Sequence, residues 1–243
     1  MTHELTRPLQ NQVALITGGG RGIGAATAAA LARKGAHVIV VSRTERELSA
    51  TVHLLRAAGY RAASIVLDVA DETAVEAAFA QIAADFGRLD ILVNNAAILL
   101  SGSFADFAVS DWDRLMAVNL RGAMLCAQQA FRLMRARGGA IVNVSSLGGV
   151  PGTEKFPSYA AYTVSKFALT GLTEALAAEG RDCGIRVNGV APGAVDTAML
   201  RQAAPHLRAD ASPPDVAKVI AFLCDPTESG CMTGAMLVIN SNR

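Results

Sequence analysis

Residues 13–24 read V-A-L-I-T-G-G-G-R-G-I-G, and this run decides the fold class. Val13 to Thr17 is an apolar stretch of strand length, followed directly by three consecutive glycines. Beyond Gly24 lies an alanine-rich segment, Ala25 to Lys34, made of strong helix formers. Strand, glycine turn and helix, in that order, form the context that a phosphate-cradling fingerprint requires. The glycines Gly18, Gly20, Gly22 and Gly24 allow positive φ and a close backbone approach to a pyrophosphate, whose charge would meet free N–H groups and the helix dipole. The expectation is a dinucleotide-binding α/β fold.

The rest of the chain repeats the alternation. His37–Val41, Ser64–Leu67, Leu89–Val93, Ile141–Ser145, Ile185–Val190 and Met236–Ile239 read as further strands. Between them lie helical segments at Thr44–Ala57 and Asp71–Phe86, and a long helix with Ser110 as N-cap that runs to about Arg137. Another helix ends near Gly180, and a short one spans Pro213–Leu223 with proline at its start. This order predicts a doubly wound, Rossmann-type, seven-stranded parallel sheet with helices on both faces and right-handed crossovers. With no linker or repeat visible, residues 1–243 are expected to form one domain.

Composition narrows the partners. A chain of 243 residues with 51% hydrophobic and 18% charged side chains can bury one large core. A net charge of +1, without acidic or basic blocks, argues against nucleic acid or a membrane surface as the main partner. No apolar run approaches the roughly 18 residues of a membrane span, and the opening M-T-H-E-L-T-R-P-L-Q-N-Q lacks a signal-peptide pattern. Cys126, Cys183, Cys224 and Cys231 form no C-x-x-C pair, so they read as thiols in a reducing compartment, the cytoplasm by default.

Several residues carry candidate chemistry. Where a dinucleotide fold needs an acidic residue for the adenosine ribose, the second strand ends instead in Ser42 and Arg43. A Ser–Arg pair binds a 2′-phosphate that a carboxylate would repel, and Arg21 adds a second positive charge, so NADP(H) is expected over NAD(H). Asp68 and Val69 end the third strand at the ligand crevice, and Asn94–Asn95 end the fourth at the same edge. Asn119, polar amid apolar neighbours in mid-helix, predicts a kink or a buried hydrogen-bond network. The stretch Ile141 to Lys166 runs from a buried strand through a Gly/Pro-rich loop into a helix. There Tyr162 and Lys166 stand one turn apart on one face. The ammonium is expected to lower the phenol pKa and make Tyr162 a proton donor and acceptor near neutrality, with Ser146 offering a hydroxyl to the same oxygen.

T-G-G-G-R-G-I-G (17–24), N-N-A-A (94–97), Asn119, V-S-S ending at Ser146, Y-T-V-S-K (162–166) and P-G-A-V-D-T (192–197) occur in order. Together they resemble the motif series of the short-chain dehydrogenase/reductase family over nearly the whole chain, specifically its compact members of the 3-oxoacyl reductase type. The resemblance implies Tyr162 as proton donor or acceptor and Ser146 as polariser of the substrate carbonyl. It implies that Lys166 binds the nicotinamide ribose and acidifies Tyr162, while Asn119 holds a helix irregularity and a water in a proton relay. It further implies a cofactor lined by Gly18, Arg21, Ile23, Arg43, Asp68, Val69, Asn95 and Val195. Gly20, Gly22, Gly24, Ser42, Ala96, Pro192, Gly193 and Thr197 complete those motifs, with Tyr162 and Lys166 at the nicotinamide end.

There are departures from the family pattern. Ala97 replaces a frequent glycine, and the interval from Ser146 to Tyr162 is longer than usual, which makes Tyr159 a rival. Thr163 stands four residues after Tyr159, so the lysine selects Tyr162. Strand alternation points Ser145 away from Ser146. The segment Met199–Pro213, where such enzymes carry a substrate lid, is short and polar, so an open pocket is expected. The ending Ile239-Asn-Ser-Asn-Arg lacks the family's glycine-rich tail. The expected reaction is hydride transfer between NADP(H) and a ketone or secondary alcohol, in the sense of ketone or 3-oxoacyl reduction. A polyol, steroid or sugar-alcohol dehydrogenase and a non-catalytic NADPH-binding scaffold are the alternatives. No metal is expected. The helices around 111–137 and 157–179 carry more apolar surface than one sheet face needs, and the resemblance implies a homotetramer through that pair, then a dimer.

Overall fold

The computed structural model describes residues 7–203, 208–209 and 211–239. Seven parallel strands form one sheet: β1 (Val13–Thr17), β2 (His37–Ser42), β3 (Ala62–Val66), β4 (Ile91–Asn94), β5 (Gly139–Val144), β6 (Ile185–Pro192) and β7 (Met236–Ile239). Their order across the sheet is β3-β2-β1-β4-β5-β6-β7. The third strand thus begins and ends before its expected span, whereas the fourth starts two residues late; the sheet pairings set those limits. The sixth runs on through Pro192, because β7 pairs along it to that residue.

Each strand feeds two cores because successive side chains leave a strand on opposite sides. In β1, Ala14 and Ile16 enter the cluster covered by α1 (Gly22–Arg33), α2 (Glu45–Ala57) and α8 (Pro213–Cys224). Val13 and Leu15 enter the opposite cluster, covered by α3 (Glu72–Phe86), α5 (Gly122–Met134) and α6 (Ala160–Glu179). Burial on both faces explains why β1, β2 and β4 are nearly continuous apolar runs, while β3 and β7 at the edges of the sheet are partly exposed.

The long helix contains a break. Its first part, α4 (Val109–Met116), leads into a π-helical turn at Ala117–Arg121, and α5 continues to Met134, short of Arg137. The expected kink at Asn119 is therefore present as a single wide turn. The expected cap is corrected: Ala108 is the N-cap, and Ser110 already lies inside α4. The chain becomes helical once it leaves the extended Ala108, at φ −64 and ψ 134, so the hydroxyl at Ser110 comes too late to cap. At the other expected starts, Asp71 caps α3 by accepting from the Ala74 N–H, and Ser212 with Asp215 forms a capping box ahead of Pro213.

The order of strands reverses direction between β1 and β4, and a crevice opens there at the carboxyl edge of the sheet. Thr17 fixes its floor. Its hydroxyl donates to the Val93 carbonyl at 3.3 Å and accepts from the N–H groups of Asn95 and Ala96 at 2.9 and 3.0 Å. Asn95 returns the link, with its amide donating to the carbonyls of Thr17 and Gly18. Among the described residues, no helix is long and apolar enough to cross a membrane.

Candidate active site

A cavity of about 650 Å³ occupies that crevice. Its lining includes Gly18, Gly20, Arg21, Gly22, Ile23, Ser42, Arg43, Asp68, Val69, Asn95, Ala96, Ser146, Tyr162, Lys166, Pro192, Gly193, Val195 and Thr197. All the expected site residues therefore meet in one space except Gly24 and Asn119, which stand behind it. A Cβ on Gly24 would lie 2.2 Å from the Gly18 carbonyl oxygen, so this position lets α1 pack against the turn.

The glycine turn suits a pyrophosphate. Gly18 and Gly22 adopt φ of +64 and +54, and a Cβ at Gly18 would meet Asn95 Nδ2 at 2.8 Å. Helix α1 starts at an extended Arg21 whose side chain makes no cap, so its first N–H groups remain available to an anion. These features fit a dinucleotide phosphate, whose adenosine end would lie toward Ser42, Arg43 and Asp68.

At the other end, Ser146, Tyr162 and Lys166 converge because β5 delivers Ser146 and the face of α6 delivers the other two. Ser146 stands beside the Tyr162 phenol and acts to lower its pKa, and its Oγ accepts from the Gly148 N–H at 3.2 Å. Lys166, only 2% exposed, lies with Nζ 5.7 Å from the centroid of the Tyr162 ring and donates to the Val144 carbonyl at 2.8 Å. Ser145 faces away as expected, its hydroxyl on the Lys166 carbonyl at 2.9 Å.

Asn119 acts on the site from behind. Its amide exchanges two hydrogen bonds with Ile98 and donates to Ser165 Oγ at 3.1 Å, and Ser165 in turn donates to the Tyr162 carbonyl at 2.7 Å. The π-turn is thus tied to both the loop after β4 and the helix bearing Tyr162. Tyr159 is no rival: its hydroxyl donates to the Ala203 carbonyl at 2.9 Å, on α7 (Ala198–Ala203).

The expected acidification of Tyr162 is overturned for the chain by itself. Burial pushes the phenol up to about 12, with the Ser146 hydrogen bond opposing, and burial brings Lys166 down to about 8. Sequence spacing gives proximity but not desolvation, and here desolvation outweighs the opposing influence of Ser146.

Sequence reasoning missed other lining residues: Glu47 beside the glycine turn, and Leu99, Leu147, Phe156, Met199 and Leu200 at the substrate end. Leu99 comes from the loop after β4, and the other apolar ones from the long interval after Ser146 and from the lid segment, where no periodic signal marks them. Within that expected lid, residues 204–207 and 210 lie outside the described residues, as does the chain after Ile239.

Comparison with known proteins agrees with this geometry. Residues 12–208 match the family described as short chain dehydrogenase. The short-chain reductase protein NovJ of Streptomyces niveus is 39% identical, covering 96% of this chain and 94% of its own. D-threitol dehydrogenase of Mycolicibacterium smegmatis is 37% identical, covering 96% and 92%. A gluconate 5-dehydrogenase from Burkholderia cenocepacia, crystallised with NADP and tartrate, superposes with a TM-score of 0.88 at 34% identity over 98% of both chains. The chain belongs to the short-chain dehydrogenase family and is an oxidoreductase of the kind that uses a nicotinamide dinucleotide.

Burial of Lys166 has a measurable consequence. Its pKa falls from 10.5 unfolded to about 8 folded, so between those values the unfolded chain binds more protons and stability rises with pH. Below pH 8 the buried charge costs about 3 kcal/mol. Lys166→Met is expected to be no less stable than the wild type at pH 7, with the difference between the two moving in favour of wild type from pH 7 to 9.5. Urea unfolding across that range checks this; parallel pH profiles would contradict it.

Proposed function

We propose that the protein is an NADP(H)-dependent reductase of a ketone, in the chemical range that includes 3-oxoacyl groups, acting reversibly on the corresponding secondary alcohol. The observation that carries this reading is the convergence of Ser146, Tyr162 and Lys166 at one end of a cavity whose other end holds Ser42, Arg43 and Arg21. A bound nicotinamide would supply or accept the hydride. The chain's own part is proton handling and orientation. Tyr162, still protonated at neutral pH with its pKa near 12, donates to the substrate oxygen, which suits the reducing direction. Ser146 donates a hydrogen bond to the same oxygen and stabilises its developing charge. Lys166, with a pKa near 8, keeps an ammonium beside the phenol at neutral pH, and this charge stabilises the phenolate left by proton transfer, while Nζ would also bind the nicotinamide ribose hydroxyls. Asn119 is a positioning residue that anchors the Tyr162 helix through Ser165. The apolar wall of Leu99, Leu147, Phe156, Met199 and Leu200 favours a substrate with a hydrocarbon body over a polyol.

We further infer a homotetramer built through α4, α5 and α6. A shallow apolar depression there is lined by Met116, Leu120, Met124, Ala168, Gly171 and Leu172, with Met124 37% exposed. The four free thiols support a reducing, cytoplasmic setting.

Three outcomes test these assignments. Tyr162→Phe should retain NADPH binding in a fluorescence titration and lose about 10³-fold in turnover; substantial activity across a ketone panel would refute the role of Tyr162. Arg43→Asp should move the NADPH/NADH ratio of kcat/KM toward NADH by at least about tenfold, and an unchanged ratio would count against the phosphate role. Gly171 has open space around it, with nothing within 4 Å of an added Cβ. Gly171→Arg should therefore keep the fold and helix content but lower the mass measured by light scattering; an unaltered mass would place the interface elsewhere.

A further inference from the structure

The adenosine end of the cavity is not simply basic. Arg21 Nη1 lies 3.4 Å from Glu47 Oε1, and Arg43 Nη1 lies 3.8 Å from Asp68 Oδ2. All four side chains line the cavity, so the two positive charges expected to bind a 2′-phosphate are offset by two carboxylates. The two carboxylates are placed differently. Asp68 sits in the loop after β3, 41% exposed, where it also accepts the Ala70 N–H. Glu47 is 28% exposed and sits on α2, where the chain holds it against the glycine turn. A Cβ on Gly20 would lie 2.9 Å from Glu47 Cβ and 3.3 Å from Ser42 Oγ. One helical turn further on, Thr51 donates to the Gly20 carbonyl at 3.1 Å. Glu47 therefore has its Cβ packed at Gly20 near Ser42, and its carboxylate, paired with Arg21, lies near the place where a 2′-phosphate would bind.

We propose that Glu47 is a specificity-determining residue that limits discrimination between NADP(H) and NAD(H), by occupying Arg21 and by repelling the 2′-phosphate. A phosphate dianion entering beside Ser42 has to take Arg21 from Glu47 and then share the space with a carboxylate. An unphosphorylated ribose leaves the Arg21–Glu47 pair intact. The carboxylate therefore weakens one dinucleotide and leaves the other untouched, which narrows the preference for NADP(H). This inference rests on the adenosine-end assignment made above, and it concerns the size of the preference rather than its existence.

The test uses fragments that report on this end alone, 2′,5′-ADP and 5′-AMP, titrated calorimetrically into the full-length protein at low and moderate salt. Glu47→Gln keeps the shape of the side chain and its packing on Gly20. It is expected to tighten 2′,5′-ADP by about tenfold and to leave 5′-AMP within about twofold. Removing Arg21 (Arg21→Gln) should then weaken 2′,5′-ADP more in the Glu47→Gln background than in the wild type, because there the guanidinium is free for the phosphate. Equal shifts for both fragments, no shift for either, or an Arg21 effect independent of residue 47 would each overturn the proposal. Failure of the underlying reading looks different: Arg43→Asp would then leave 2′,5′-ADP affinity unchanged in both backgrounds.

Discussion

The position of Lys166 governs how the second half of the molecule is assembled. Its ammonium reaches through the interior to the Val144 carbonyl, while its own carbonyl accepts from Ser145 and Thr170. Helix α6 is therefore fastened to the end of β5 by both side chain and backbone of one residue. Gly149 follows from the same closeness, since a Cβ there would stand 2.6 Å from the Lys166 carbonyl oxygen. A charge in such a place lowers stability, and among the described residues its one hydrogen-bond partner, the Val144 carbonyl, is a weak compensation for lost hydration. The fold keeps it where Tyr162 and the crevice are, which is the expected location of a costly group with a chemical task.

The opposite half solves a different problem, holding a glycine turn open and rigid together. Thr17 and Asn95 bind each other across β1 and β4 with hydrogen bonds in both directions. On the other flank, Thr51 and the stem of Glu47 press on Gly20. The turn is thus held from the sheet and from α2, and its N–H groups are left to face the cavity. Asn119 performs the equivalent service for α6, transmitting the π-turn to Tyr162 through Ser165. Rigid support on every side is what orients reacting groups before a substrate arrives.

How much of this is written in the sequence depends on the range of the interaction. The strands were legible because those in the middle of the sheet, such as β1, β2 and β4, are buried on both faces and read as short apolar runs, whereas β3 and β7 at the edges are partly exposed. The glycine turn was legible because Gly18 and Gly22 need positive φ, a local requirement. Tyr162 and Lys166 were legible as neighbours by helical spacing, and Asn119 as an oddity within an apolar helix. Their protonation was not, because desolvation depends on what packs over α6, which spacing does not reveal. Ser110 misled because any hydroxyl near a helix start resembles a cap, while the backbone of Ala108 decided where the helix began. Glu47 escaped notice for a related reason. It lies 26 positions beyond Arg21, and an acidic residue in the first turn of a helix is already explained by the dipole.

The Tyr159 hydroxyl on the Ala203 carbonyl bears on traffic through the mouth of the cavity. It joins α7 to the start of α6 by one neutral hydrogen bond, worth about 1 kcal/mol net. An enzyme turning over about ten times per second faces a barrier of about 16 kcal/mol. Releasing that latch lifts the free energy by only a small fraction of this height. The helix that carries Tyr162 is anchored elsewhere, through Ser165 and Asn119, so its seating does not hang on that clasp.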